Sequence, residues 1–181
     1  MKAQKVNGLD PGTPFASNAA RIVRTRLDEM RSFAPAALER EATDPQHDMR
    51  IAGKRLRYVL EITGICFGDE ADVARHAARD LQDVLGELHD SDVMLDRIAE
   101  HIERLRAADA RAVRERAGDA DDLDPGLLGD APNEDAYRGL ELLAVHFEAR
   151  RALLFDRFTE LWERLEAGGI WERLAAATAD D

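Results

Sequence analysis

Apolar residues recur at three- and four-residue spacing through almost the whole chain, and no convincing period-2 run interrupts them, so the pattern predicts an all-α fold. After a flexible start over residues 1–15, Thr13-Pro14 can cap a first helix whose buried stripe is Phe15, Ile22, Val23, Leu27, Met30 and Phe33, with Pro35 ending or kinking it. A second helix is expected from about Pro45 to Cys66, Asp44 serving as N-cap and Pro45 as first-turn proline. Its packing side is Met49, Ala52, Leu56, Val59, Leu60 and Thr63. Phe67-Gly68-Asp69 reads as a turn, and a third helix covers roughly Glu70 to Leu88. Asp90 or Ser91 then offers a cap for a fourth helix, with Val93, Met94, Ile98, Ile102 and Leu105 as its stripe, ending near Ala117.

Residues 117–135 hold seven acids, no bases, two prolines and three glycines, the composition of a mobile acidic connector. A long helix from about Asp135 to Ala167 follows, with Leu140, Leu143, Phe147, Leu154, Phe158, Leu161 and Leu165 along one side; Gly168-Gly169 stops it before a short helix, Ile170 to Ala177. The expected architecture is an antiparallel bundle of about four core helices plus a long and a short C-terminal helix, one domain over residues 16–177. Trp162 and Trp171 fall at core positions.

Charge changes this picture. The formal net charge of the 181 residues is -12, yet residues 1–66 carry 11 Lys and Arg against 8 acids, while residues 67–181 carry 14 against 29. The bases concentrate in the second helix: Arg50, Lys54, Arg55 and Arg57 lie between Met49 and Leu60 with no acid among them. At about 100° per residue, His47, Arg50, Lys54 and Arg57 fall in a stripe roughly 80° wide, opposite the packing side. Arg75 and Arg79 on the third helix, and Arg21, Arg24 and Arg31 on the first, are candidates to extend it. An acidic bulk argues against a general nucleic-acid coat, while a local cationic face suits a specific polyanion. One cysteine, Cys66, rules out an internal disulfide; with no membrane span and no secretory apolar core, it points to the cytosol.

His47-Asp48-Met49-Arg50-Ile51-Ala52 with Lys54-Arg55-Leu56-Arg57 resembles the signature helix of the CHAD family, the conserved histidine α-helical domain. Leu81 to Val93 resembles the helix pair that follows in that family, and Leu143 to Arg151 with Trp162 to Leu174 resembles its closing helices; the likeness covers about residues 16–175. The resemblance implies a helical protein that binds inorganic polyphosphate through the basic face of the signature helix, at His47, Arg50, Lys54, Arg55 and Arg57. Family members usually carry the signature twice, and this chain has it once; His89 also stands where that motif more often has Arg or Asn. One copy implies half a site, which a two-fold homodimer would complete.

Polyphosphate carries about one negative charge per phosphate and calls for a row of cations more than a shaped pocket. Guanidinium groups suit it through paired hydrogen bonds, Lys54 acts as a point charge, and His47 near a helix N-terminus gains by protonation, so affinity is expected to rise as pH falls through about 6.5. The acidic connector could cover the cations, in which case removing residues 119–135 would raise affinity. Two other classes compete with this reading. One is a helical adaptor for a protein partner. The other, suggested by the dipeptides His47-Asp48 and His89-Asp90, is a metal-dependent HD-type phosphohydrolase, but no histidine precedes His47 to complete such a ligand set. Without a phosphate loop, nucleophile motif or metal spacing, the expectation is a non-enzymatic protein with no cofactor.

Overall fold

Among the described residues five α-helices form where the periodicity places apolar stripes: α1 (Phe15–Ala37), α2 (Thr43–Thr63), α3 (Gly68–Ala117), α4 (Glu134–Ala167) and α5 (Ile170–Ala177). These come from a computed structural model that describes residues 2–179, and no strand occurs among the described residues. Short 3-10 turns lie at Gly64–Cys66 and Pro125–Asp130. The chain divides into two compact units, Met1–His89 with Leu153–Asp181, and Asp90–Ala152.

The first unit holds α1, α2, the first part of α3, the last part of α4 and α5. Its core joins Val23, Leu27 and Met30 of α1, Met49, Leu56 and Leu60 of α2, Leu81, Leu85 and Leu88 of α3, Phe158 and Trp162 of α4, and Trp171 and Leu174 of α5. Trp162 and Trp171 stack with ring centroids 6.3 Å apart. Phe15, expected in the α1 stripe, is exposed instead. Pro35 lies in the final turn of α1, which ends two residues later at Ala37, and the carbonyls beyond that end find another donor. That donor is Gln46, fully inside the fold, whose amide reaches the carbonyls of Ala37 (3.2 Å) and Glu39 (2.9 Å). The Gln46 backbone N–H closes the first helical turn on the Ala42 carbonyl (3.1 Å), so α2 starts at Thr43, ahead of the expected Pro45, with Asp44 within its first turn.

The N-terminal stretch expected to be flexible, of which Met1 lies outside the described residues, is bonded to α1. The Gln4 N–H donates to Glu29 Oε1 (2.9 Å), Arg21 Nη1 to the Gly8 carbonyl (2.6 Å), and the Asp10 N–H to Asn18 Oδ1 (3.0 Å). Glu29 is buried, at 1% exposure, and receives Arg26 and Arg55 as well.

Gly53, costly inside a helix, and Gly64, the first residue of the 3-10 turn after α2, both lie beside packed neighbours: a Cβ at Gly53 would lie 3.7 Å from Met30 Sδ and one at Gly64 3.6 Å from Ala71 Cβ. Both distances are ordinary contacts. Gly53→Ala is therefore expected to raise stability by about 0.5–1 kcal/mol through helix propensity, read as a higher urea midpoint at unchanged slope. A lower midpoint would show that α1 and α2 are already in closest contact there.

In the second unit the third and fourth helices of the sequence reading are one element, since α3 runs 50 residues without a break. Ser91 caps nothing: it is buried mid-helix, and its hydroxyl accepts from Arg150 Nη1 at 2.9 Å, while Asp92 pairs with Arg151. Asp109, also buried, accepts from Asn133 Nδ2 and the Tyr137 hydroxyl (2.6 Å), fixing the end of the connector to α3. Burial and that carboxylate push the Tyr137 phenol above its usual value. Leu143, expected on a packed stripe, is exposed.

Candidate polyanion-binding site

Helix α2 turns Met49, Ala52, Gly53, Leu56, Leu60 and Thr63 into the core, and this fixes where its cations point. His47, Arg50 and Arg57 sit half-buried along the border with solvent, and Lys54 is exposed. On the neighbouring α3, Gln82, Gly86 and His89 are spaced four and three residues apart, one face of that helix. The two faces meet. The His47 and His89 rings lie 4.4 Å apart between centroids, tilted by 48°, and Arg50 Nε is 3.6 Å from where a Cβ on Gly86 would stand.

Four atoms along this seam, His47 Nδ1, Arg50 Nε, Gln82 Oε1 and Arg57 Nε, are buried without a hydrogen-bond partner. A buried polar atom left unpaired costs about 1–3 kcal/mol; an acceptor-rich ligand relieves the two arginine nitrogens, and His47 Nδ1 when it carries its hydrogen, whereas the Gln82 oxygen is itself an acceptor. Burial is the main force holding the His47 imidazole below its ordinary value, with His89 and then Arg50 repelling its proton and Asp48 weakly favouring it. An unfolded chain takes that proton more readily, so His47 subtracts stability as pH falls below about 6.5. The midpoint of any His47-linked effect in the free protein accordingly lies lower than the 6.5 expected from sequence.

Toward the C-terminal end of the stripe, Tyr58 gathers two cations, with the Arg57 guanidinium 4.7 Å and the Lys54 ammonium 5.8 Å from its ring centre. Glu61 approaches Arg57 Nε at 3.6 Å, outside hydrogen-bond range. Arg55 points elsewhere and pairs with the buried Glu29 at 3.0 Å. Arg75 pairs with Asp72 (3.2 Å) and Arg79 with Asp83 (3.8 Å), each on its own helix. On α1, Arg21 holds the Gly8 carbonyl, Arg24 is half-buried, and Arg31 pairs with Glu172 (2.8 Å) and Glu166 (3.3 Å). The site therefore brings together His47, Arg50, Lys54 and Arg57, and adds Gln82, Gly86 and His89. In the sequence all three lie in the Leu81 to Val93 segment that resembles the family, and their spacing with Arg75 and Arg79 puts them on a single helical face.

Among the described residues no group of three or more His, Cys, Asp or Glu side chains is placed to share a metal ion. No helix among them is long and apolar enough to cross a membrane.

Helical packing thus places a cationic seam between α2 and α3. The model of the CHAD domain matches residues 3–99, more than half of the sequence, and the chain belongs to that family. The matched region contains α1, α2 and the α3 face carrying His89, whereas the segments from Leu143 to Leu174 that resemble the closing helices lie outside it. No curated protein and no solved structure matches the chain.

Proposed function

We propose that this CHAD-domain protein binds inorganic polyphosphate along the α2–α3 seam and does so without catalysis. The observation that carries the reading is the run of unpartnered buried nitrogens on His47, Arg50 and Arg57 beside exposed Lys54, on the basic helix of a protein with net charge -12. Donors without acceptors call for an acceptor-rich ligand, and phosphate oxygens supply two acceptors to each guanidinium. From His47 to Arg57 the helix rises about 15 Å, so the seam is a track and not a pocket for a single phosphate.

The functional form in this reading is a homodimer in the cytoplasm, where a second copy provides the second basic helix that one signature lacks; polyphosphate granules are a natural place for it. Titrating the purified protein with long-chain polyphosphate, with molar mass recorded alongside, tests both parts. Binding is expected to weaken by tenfold or more between about 50 and 200 mM salt, as counterion release dictates when several phosphates are contacted. The polymer length is expected to be unchanged after incubation with divalent metal, and the mass to be twice that of the chain. No binding at low salt would dismiss the polyanion reading, shortening of the polymer would dismiss the non-catalytic part, and a monomer of full affinity would dismiss the dimer.

A further inference from the structure

We propose that His89 is itself a ligand residue of the seam, and that His47 and His89 together form a proton-accepting end of the anion track, so that polyphosphate binds with uptake of a proton. The inference rests on the polyphosphate reading and adds to it a residue and a linkage.

Its basis is the geometry where α2 and α3 cross. Gly86 has no side chain, and Arg50 lies against that gap with its Nε 3.6 Å from the missing Cβ position. His89 is three residues further on the same face, and its ring centre is 4.4 Å from that of His47. Three groups able to carry positive charge therefore converge on one spot. The groups that act on His47 are His89 from α3, and Arg50 and Asp48 from its own helix; Asp48 is a single carboxylate against the fixed charge of Arg50 and a second imidazole. Gln82, one turn before Gly86, contributes a neutral amide whose oxygen is unpartnered.

In the free protein an added proton on His47 is costly, because burial strips it of water and it would sit against the His89 ring and Arg50. A phosphate oxygen laid across the two rings reverses that balance, since each protonated ring is then both a donor and a counter-charge. The proton comes from solvent and stays on imidazole nitrogen, and the phosphate chain is unaltered. The track thus has unlike ends: at Arg57 and Lys54 the charge is fixed, and at His47 and His89 it is supplied on demand.

Calorimetric titration with long-chain polyphosphate at pH 6 to 8, in pairs of buffers differing in ionisation enthalpy, counts the protons. For the unaltered protein we expect uptake of roughly half to one proton per site near pH 6.5, and affinity about tenfold higher at pH 6 than at pH 8. His89→Asn is expected to cut the uptake at least by half and shrink the pH effect below about threefold, with a smaller loss of affinity at pH 8, about two- to threefold, where the neutral ring still donates one N–H to phosphate. His89→Arg, a fixed charge, is expected to flatten the pH profile and tighten binding at pH 8; circular dichroism confirms that each variant folds. Binding without proton uptake, or an undiminished pH effect in His89→Asn, overturns this inference alone. Absence of binding by the unaltered protein overturns the polyphosphate reading and this inference with it.

Discussion

Replacing Arg50 and Arg57 together by glutamate is expected to lower polyphosphate affinity by a thousandfold or more at low salt, while the protein stays folded. Each charge-assisted hydrogen bond to phosphate contributes about 1.5–3 kcal/mol, and the loss of two corresponds to roughly two to four powers of ten before repulsion by the new carboxylates is added. Both arginines occupy the border of α2, outside the apolar core, and each has a buried nitrogen that lacks a partner. The new Glu at position 57 would stand one turn from Glu61, a like-charge pair that costs a few tenths of a kcal/mol. Arg75→Glu with Arg79→Glu is the informative comparison, because those two arginines already pair with Asp72 and Asp83. That variant is expected to lose less than tenfold. Fluorescence anisotropy of labelled polyphosphate, beside thermal melts, reads both; equal losses in the two variants would place the track along α3 and not in the seam.

The helices were legible in the sequence where their causes are local. The α2 stripe of Met49, Ala52, Leu56, Leu60 and Thr63 is buried as its spacing requires, and the cations opposite it follow from the same periodicity. The break expected at Asp90-Ser91 did not occur because those residues resemble a cap only until partners 59 positions away are known; Arg150 and Arg151 occupy Ser91 and Asp92. Gln46 is a similar case, since its burial follows from the end of α1, whose last carbonyls it caps from nine residues away. The site divides along this line too. His47, Arg50, Lys54 and Arg57 could be read from one helix, whereas Gln82, Gly86 and His89 join them only once α3 is known to lie beside α2. A charge stripe also says nothing about which cation is already paired. Arg55 lies between Lys54 and Leu56 in a run without acids, yet its partner, Glu29, is 26 residues upstream on α1.

That pairing leads to the largest stability effect expected in the protein. Glu29 is 1% exposed and accepts from the Gln4 N–H, from Arg26 and from Arg55, so it ties the N-terminal segment and α2 to α1 through one carboxylate. Removing one partner of a buried ionic group strands the others, at a cost of about 3–5 kcal/mol, which is a large share of the total stability of a domain this size. Glu29→Ala is expected to lower the urea midpoint accordingly, by well over 1 M at a typical slope. Arg55→Met keeps the aliphatic length and leaves Arg26 on the carboxylate, so a smaller loss, about 1–2 kcal/mol, is expected. A double-mutant cycle on Glu29 and Arg55 isolates their coupling. Polyphosphate affinity measured on the folded Arg55→Met protein then separates two roles that one arginine could play. Affinity within about threefold of the unaltered protein makes Arg55 a strut that orients the basic helix; a loss as deep as that from Arg50 would make it a ligand that Glu29 holds in position.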